Sequence, residues 1–168
     1  MESRLWRRST KAMKIQIYAI ASKSIDWFEQ SFSMYQKRLP AHINLRFTTI
    51  PLAYRNKNSS IEEAVKKEGE LLLTHINSQD TLIVMDESGE TLSTKDFSYW
   101  MDRWFLNSIN PILVIGGPDG LSKAVHHRAN KRLSLSKMTL PHALVPVILA
   151  EQIYRAWTIL DGQPYHRS

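Results

Sequence analysis

The chain has 168 residues, 43% of them hydrophobic, which suits one ordinary domain with a single core. Its 22 Lys and Arg against 16 Asp and Glu give a formal charge of +6, which is compatible with nucleic-acid binding but does not require it. The lack of cysteine excludes disulfides and thiolate zinc sites, and no apolar run nears the roughly 20 residues of a membrane span, so we expect a cytoplasmic protein without membrane contact.

Residues 1–12 form a basic leader ahead of the first predicted strand. Its four positive charges are not followed by the apolar region of a secretory signal. We expect residues 1–12 to be disordered and residues 13–168 to form a single domain.

Strand-like and helix-like segments alternate along the rest of the chain. The predicted strands are residues 14–20, 43–50, 81–85, 111–115 and 132–136. The third is expected to stop at Asp86, before a turn that contains Gly89. The helices after the first four strands are expected to be capped by Ser24, Ser60, Ser93 and Ser122, and that capped by Ser60 should run to about Ile76. A long last helix is expected from about 142 to 160. This order predicts an α/β fold, a mostly parallel sheet with helices on both faces.

Three segments leave the third, fourth and fifth strands where ligands of open parallel sheets usually bind, at the carboxyl ends: residues 85–87, 116–120 and 136–142. The second, GGPDG, lets backbone approach a ligand closely, although by itself a plain Pro-Asp-Gly turn is equally compatible with it. The third, SKMTLPH, offers hydroxyls and backbone acceptors for an adenine edge, with Met138 and Leu140 for its apolar faces. Together the two loops predict a cofactor pocket.

A phenol, an imidazole and a guanidinium group stand together at the C-terminus in Tyr165, His166 and Arg167. Chain ends are usually frayed, but such a tail, packed over a pocket, could transfer protons and stabilise negative charge. Arg155 has apolar neighbours in the last helix, which predicts a place at an interface or in a site.

The remaining histidines indicate no metal site. We read four as surface residues: His42, His75, His126 and His127. His142, at the start of the last helix, could contact a ligand, cap the helix or pack against it.

Four motifs in a fixed order, GGPDGLS, LSLSKMTLPH, AEQIYRAW and PYHR, resemble the RlmH family, the SPOUT-superfamily methyltransferases of large-subunit ribosomal RNA. The resemblance runs from about Met13 to the C-terminus. It implies a SPOUT-type α/β knot, a C-terminal trefoil, with S-adenosylmethionine bound in a bent conformation and no metal. It also implies a homodimer with sites near the interface, and methyl transfer to N3 of a pseudouridine in 23S ribosomal RNA of the large subunit or assembled ribosome.

The resemblance also assigns roles to residues. The expected cofactor-binding residues are Met85, Gly116, Gly117, Gly120, Ser136, Lys137, Met138, Thr139, Leu140 and Pro141. The expected catalytic residues are His166, Tyr165, Arg167 and Arg155. His166 or Tyr165 would accept the N3 proton while an arginine stabilises charge on the base oxygens. A side chain at Gly117 is expected to fill the cofactor's approach path. Two small departures from the family pattern, Met85 for leucine and Asp119 for glutamate, remove no group that the reaction needs.

Apolar faces around Tyr154 and Trp157 independently suggest a homodimer.

The sequence also leaves two functions other than methyl transfer to consider. A non-catalytic ribosome-binding factor would use basic residues on phosphates and leave the pocket loops unexplained: Lys11, Arg46, Arg55, Lys57 and Arg167. A nicotinamide-dependent oxidoreductase is disfavoured, because residues 21–24 (Ala-Ser-Lys-Ser) follow the first strand where the glycine fingerprint belongs.

Overall fold

The computed structural model describes residues 12–22, 26–55 and 60–166, and of Asp26, Trp27 and His166 the backbone alone. Its strands are β1 (Met13–Ala21), β2 (Ile43–Pro51), β3 (Thr81–Thr91), β4 (Pro111–Ile115) and β5 (Lys131–Ser134). Its helices are α1 (Asp26–Arg38), α2 (Ile61–Leu73), α3 (Thr94–Leu106), α4 (Lys123–Arg128) and α5 (Val145–Leu160), followed by a 3-10 turn, Pro164–His166. Residues 1–11 and the predicted cap Ser24 lie outside the described residues.

The strands form one parallel sheet in the order β2-β1-β4-β3-β5, which confirms the predicted fold class. Strand β4, read in sequence as Pro-Ile-Leu-Val-Ile, is buried along its whole length. A continuous apolar run is what a central strand needs when helices cover both faces.

Helices pack on both faces of the sheet, as predicted. Alternate residues of β1 point to opposite sides: Ile15 and Ile17 join the core beneath α1, α3 and α5, whereas Tyr18 and Ile20 join the core beneath α2 and α4. The helices in the described part of the chain all lack the length or the apolar character needed to cross a membrane.

Local capping chemistry starts three of the helices as predicted. The hydroxyls of Ser60, Ser93 and Ser122 each accept a hydrogen bond from the backbone amide three residues ahead. Such a bond satisfies a helix N-terminal donor that has no partner within the helix.

Several predicted boundaries were wrong. Strand β3 does not stop at Asp86: residues 86–89 bulge out, after which Glu90 and Thr91 resume pairing with β5. Strand β5 covers 131–134 instead of 132–136, helix α2 ends at Leu73, and helix α5 starts at Val145 after a turn over 142–144. The trefoil knot and the division at residue 12 stay predictions.

Candidate functional site

The two loops singled out in the sequence form walls of one cavity of about 440 Å³ at the carboxyl ends of β3, β4 and β5. Eight of the ten expected cofactor-binding residues line it: Met85, Gly116, Gly117, Gly120, Ser136, Met138, Thr139 and Leu140. Lys137 and Pro141 belong to the same loop but are exposed outside the lining. Because β3 lies between β4 and β5, the glycine turn and the 135–144 loop face each other across the end of β3.

The glycine turn is closed by its own backbone. The amide of Gly120 donates to the carbonyl oxygen of Gly117 at 3.0 Å, and Gly120 has a φ of +83°, a conformation that glycine adopts without strain. The turn leads directly into α4, whose N-cap is Ser122. Backbone from the turn is therefore presented to the cavity in a fixed shape.

A side chain at Gly117 would meet different neighbours from those expected. A Cβ atom at this position would lie 3.2 Å from Cγ2 of Ile20 and 3.3 Å from Cδ2 of Leu52, neither of which lines the cavity. The missing side chain therefore points at the packing behind the turn. The expectation that it would fill the cofactor's approach path was wrong.

A charged network holds the turn from behind. Nη2 of Arg55 donates to Oδ2 of Asp119 at 2.7 Å, and Nη1 donates to Oε1 of Glu68 at 2.8 Å. Glu68 is 1% exposed and also accepts from the Ala53 amide at 2.9 Å. The hydrogen bond that Arg55 donates to Asp119, with Glu68 adding to its effect, raises the pKa of Arg55 above its usual value, so Arg55 stays charged.

The bulge of β3 supplies a carboxylate, Asp86, to the lining between these two walls. Oδ1 of Asp86 accepts from the hydroxyl of Ser88 at 2.6 Å and from its amide at 2.8 Å. These bonds, the hydroxyl first, lower the pKa of Asp86. Gly89 permits the bulge, because an ideal Cβ there would lie 2.7 Å from the Leu133 backbone nitrogen.

Sequence reasoning missed one titratable side chain of the lining, His126. It lies on α4, and its Nδ1 is 3.8 Å from Oδ2 of Asp86. The prediction that His126 and His42 lie on the surface was wrong, because both are half-buried. Burial lowers the pKa of His42. His75 and His127 are exposed, as predicted. The sequence did contain a signal for His126: helix α4 begins directly after the glycine turn, so one face of this short helix must point towards the cavity. His142 lines the cavity too.

The loop after β5 is shaped by two serines. The hydroxyl of Ser134 donates to the Ser136 carbonyl at 3.0 Å, and the hydroxyl of Ser136 accepts from the Met138 amide at 2.9 Å. Met138 lines the cavity while remaining 77% exposed. An apolar side chain left so open is available to cover a ligand.

The C-terminal residues form a separate cluster on α5. Arg155 is bound to Glu151 through Nε at 2.9 Å and Nη2 at 2.6 Å, and its guanidinium lies 4.9 Å from the ring centroid of Tyr165. The hydrogen bond that Arg155 donates to Glu151 is the main cause that raises the pKa of Arg155. Burial first, and then the Glu151 charge, raise the pKa of Tyr165, which keeps its phenol protonated.

Within one chain, the cluster and the cavity lie apart. Val145, at the start of α5, lines the cavity, and Arg155 lies ten residues further along, about 15 Å at the rise of an α-helix. The side chain of His166 and the whole of Arg167 lie outside the described residues, as do Lys11 and Lys57. Trp157 is 8% exposed and the half-buried Tyr154 packs on Tyr165, so the chain itself covers much of the apolar surface that led us to expect a dimer.

Among the described residues, no three His, Asp or Glu side chains are grouped so that they could hold a metal ion. Backbone groups, hydroxyls and apolar side chains dominate the cavity instead. Such a lining suits an organic ligand with an apolar ring system and hydrogen-bonding edges.

Comparison with known proteins gives consistent matches. The family model described as "Predicted SPOUT methyltransferase" matches residues 13–166. The chain is 44% identical to ribosomal RNA large subunit methyltransferase H of Hahella chejuensis over 92% of this chain and 99% of that protein. It is 39% identical to the protein of the same name from Pseudomonas putida, over 92% and 100%. A solved structure of a Neisseria gonorrhoeae protein assigned to a methylase family shares the fold, with a TM-score of 0.52, 14% identity, and coverage of 84% of this chain and 82% of that one.

Proposed function

The chain belongs to the RlmH family of SPOUT methyltransferases, and from this premise we propose that it transfers a methyl group from S-adenosylmethionine to N3 of a pseudouridine in 23S ribosomal RNA. The observation that carries the proposal is the position of the glycine turn and the 135–144 loop as two walls of one cavity. A cavity of about 440 Å³ is within the usual size of small-molecule sites.

The lining fits the adenosine part of this cofactor. Backbone of the turn at Gly116–Gly120 and of the loop around Ser136–Leu140 provides hydrogen-bonding groups for the adenine edge. Leu121, Leu135 and Leu140 supply apolar contact for the ring faces. Lys137 and Pro141 would act through the shape of the loop, because they lie outside the lining.

When bound, the cofactor supplies a methyl group activated by a positively charged sulfur. The acceptor nitrogen carries a proton that must leave, and His166 is the residue we assign to accept it, because an imidazole titrates near neutral pH. The raised pKa of Tyr165 makes its phenol a poor base at neutral pH and a good hydrogen-bond donor. Arg155 and Arg167 would stabilise negative charge on the base oxygens.

The distance between the C-terminal cluster and the cavity supports a homodimer. The roughly 15 Å along α5 from Val145 to Arg155 is too long for the tail of the same chain to serve the cavity by small adjustments. In a two-fold dimer, the tail of one subunit would lie at the cavity of the other. Met138 and Leu144, both exposed at this edge, are the apolar residues that such contact would cover.

A ribosomal substrate implies that the enzyme acts in the cytoplasm. The proposal is tested by incubating the protein with labelled S-adenosylmethionine and intact ribosomes, then mapping the modified base. Label at N3 of one pseudouridine of the large subunit is expected. Saturable cofactor heat in calorimetry without any transfer to ribosomes would refute the assigned substrate, and no cofactor heat would favour the non-catalytic binding factor.

A further inference from the structure

A second cavity, of about 380 Å³, lies at the carboxyl end of β2. We call it the Tyr54 cavity. Its lining comes from the segment after β2 and from one face of α2: Pro51, Leu52, Ala53, Tyr54, Lys67, Glu68 and Leu71. Glu68 and Leu52 also lie behind the glycine turn, and none of the seven residues lines the cofactor cavity.

The chemistry of this lining is that of a base-binding site. Tyr54 is 85% exposed, so nearly its whole ring is free to stack on a planar ligand. Leu52 and Leu71 give the cavity an apolar interior, and Lys67 places an exposed ammonium group on its lining. A scattered exposed aromatic residue would need no explanation, but this one borders a cavity together with a cation.

The cation on this lining, Lys67, supplies the positive charge that a phosphate group of RNA requires. Both terminal nitrogens of the Arg55 guanidinium are engaged by Glu68 and Asp119, so it is committed to the fold. Lys66 lies 3.9 Å from Glu70. Lys67 is the lysine on this lining. Its ammonium group would pair with a phosphate, while the exposed ring of Tyr54 would stack on the base of the same nucleotide.

The Tyr54 cavity adjoins the cofactor cavity. Strand β1 alone separates β2 from β4, which places their ends roughly 10 Å apart at the usual strand spacing. Leu52, in the lining of the Tyr54 cavity, packs behind the glycine turn, as its 3.3 Å distance from a Cβ at Gly117 shows. One single strand of RNA can therefore lie along this edge of the sheet and reach both cavities.

We propose that the Tyr54 cavity binds an unpaired base of the ribosomal RNA strand that carries the target, with the base stacked on Tyr54 and its phosphate held by Lys67. The inference rests on the proposed function. RNA that is read by sequence is usually bound through unstacked bases laid on aromatic side chains. The site fixes the position of the strand and leaves the methyl transfer itself to the cofactor cavity.

Kinetics with intact ribosomes give the first test. Tyr54→Ala is expected to raise the KM for ribosomes about tenfold, from the usual contribution of one base stack, while kcat and cofactor affinity change little. Tyr54→Phe, which keeps the ring, should behave as wild type. Tyr99→Ala is the matched control, because Tyr99 is a 53% exposed tyrosine on α3. An unchanged KM in Tyr54→Ala would overturn the proposal.

Photo-crosslinking identifies the occupant. The full chain with p-benzoylphenylalanine at position 54, irradiated on ribosomes, is expected to attach to large-subunit RNA near the methylated base. The same label at position 99 should give far less of that product. Attachment of position 54 to a ribosomal protein, or to nothing, would refute a base-binding site. These readouts are separate from the proposed function, which fails if wild type transfers no methyl group.

Discussion

The Arg55 guanidinium and the Asp119 carboxylate, 64 residues apart in the chain, are joined by a hydrogen bond of 2.7 Å. The bond ties the segment after β2 to the glycine turn that lines the cofactor cavity. Since Glu68 holds the other terminal nitrogen of Arg55 at 2.8 Å, the turn is anchored to helix α2.

Removal of the Asp119 charge should loosen the glycine turn without unfolding the protein. Both partners are about 30% exposed, so the pair is screened by solvent. We expect Asp119→Asn to weaken S-adenosylmethionine binding about two- to fivefold, as measured by calorimetry. Asp119→Glu, which keeps the carboxylate, should bind nearly as wild type. Equal loss in both variants would show that the ion pair does not position the turn.

A methyl group at Gly117 should act from behind the turn. Gly117→Ala is expected to push the turn away from Ile20 and Leu52, which stand 3.2 and 3.3 Å from the new atom, and so to weaken cofactor binding. Adding Leu52→Ala makes room and should restore part of the affinity, measured by calorimetry on the single and double variants. If the new group instead filled the cofactor path, Leu52→Ala would restore nothing.

Acid stability should depend on the Ser88 hydroxyl. It lowers the pKa of Asp86, so the stability that it contributes is present above the usual carboxyl pKa of about 4 and is lost as pH falls through the lowered pKa of the folded state. Ser88→Ala should therefore lower the Tm at pH 7, with a difference from wild type that shrinks in acid. In an Asp86→Asn background, Ser88→Ala should show no such pH dependence. A difference that grows in acid would contradict this assignment.

His166→Ala should separate turnover from cofactor binding. We expect kcat on ribosomes to fall at least about a hundredfold, the usual contribution of a general base, with cofactor affinity nearly unchanged. Tyr165→Phe keeps the ring against Arg155 and should be affected far less. Loss of cofactor affinity that matches the loss of turnover in His166→Ala would place this residue in the cofactor site instead.

Mixed dimers test whether the tail acts on the other subunit. A His166→Ala subunit has an intact cavity and a defective tail. A Gly116→Val subunit has an intact tail and a defective cavity, because a Cβ at Gly116 would lie 2.9 Å from Leu121 and 3.0 Å from Gly120 and would distort the turn. Random mixing makes half of the dimers mixed, each with one complete site, so about a quarter of wild-type activity is expected. If tail and cavity acted within one chain, mixing would recover none.

The cofactor loops could be found in the sequence because their signals are local. Glycines in GGPDG, the serine caps and the apolar run of β4 each express a preference of a few consecutive residues, and parallel strands bring their carboxyl ends to one edge. The Tyr54 cavity gave no comparable signal, and the place of His126 in the cofactor cavity was indicated only indirectly, by the start of α4 at the glycine turn. Both depend on tertiary packing, of helix α2 against the segment after β2 and of helix α4 beside the end of β3.

Local sequence signals were enough to predict the α/β class, the caps at Ser60, Ser93 and Ser122, and the two loops that became walls of one cavity. Tertiary structure alone decided the strand order, the bulge after Met85 and the Arg55–Asp119 bond. It also turned the missing side chain of Gly117 towards Ile20 and Leu52. The reason is physical: caps and turns are satisfied within a few residues, whereas strand neighbours and ion pairs form only when distant segments share one core.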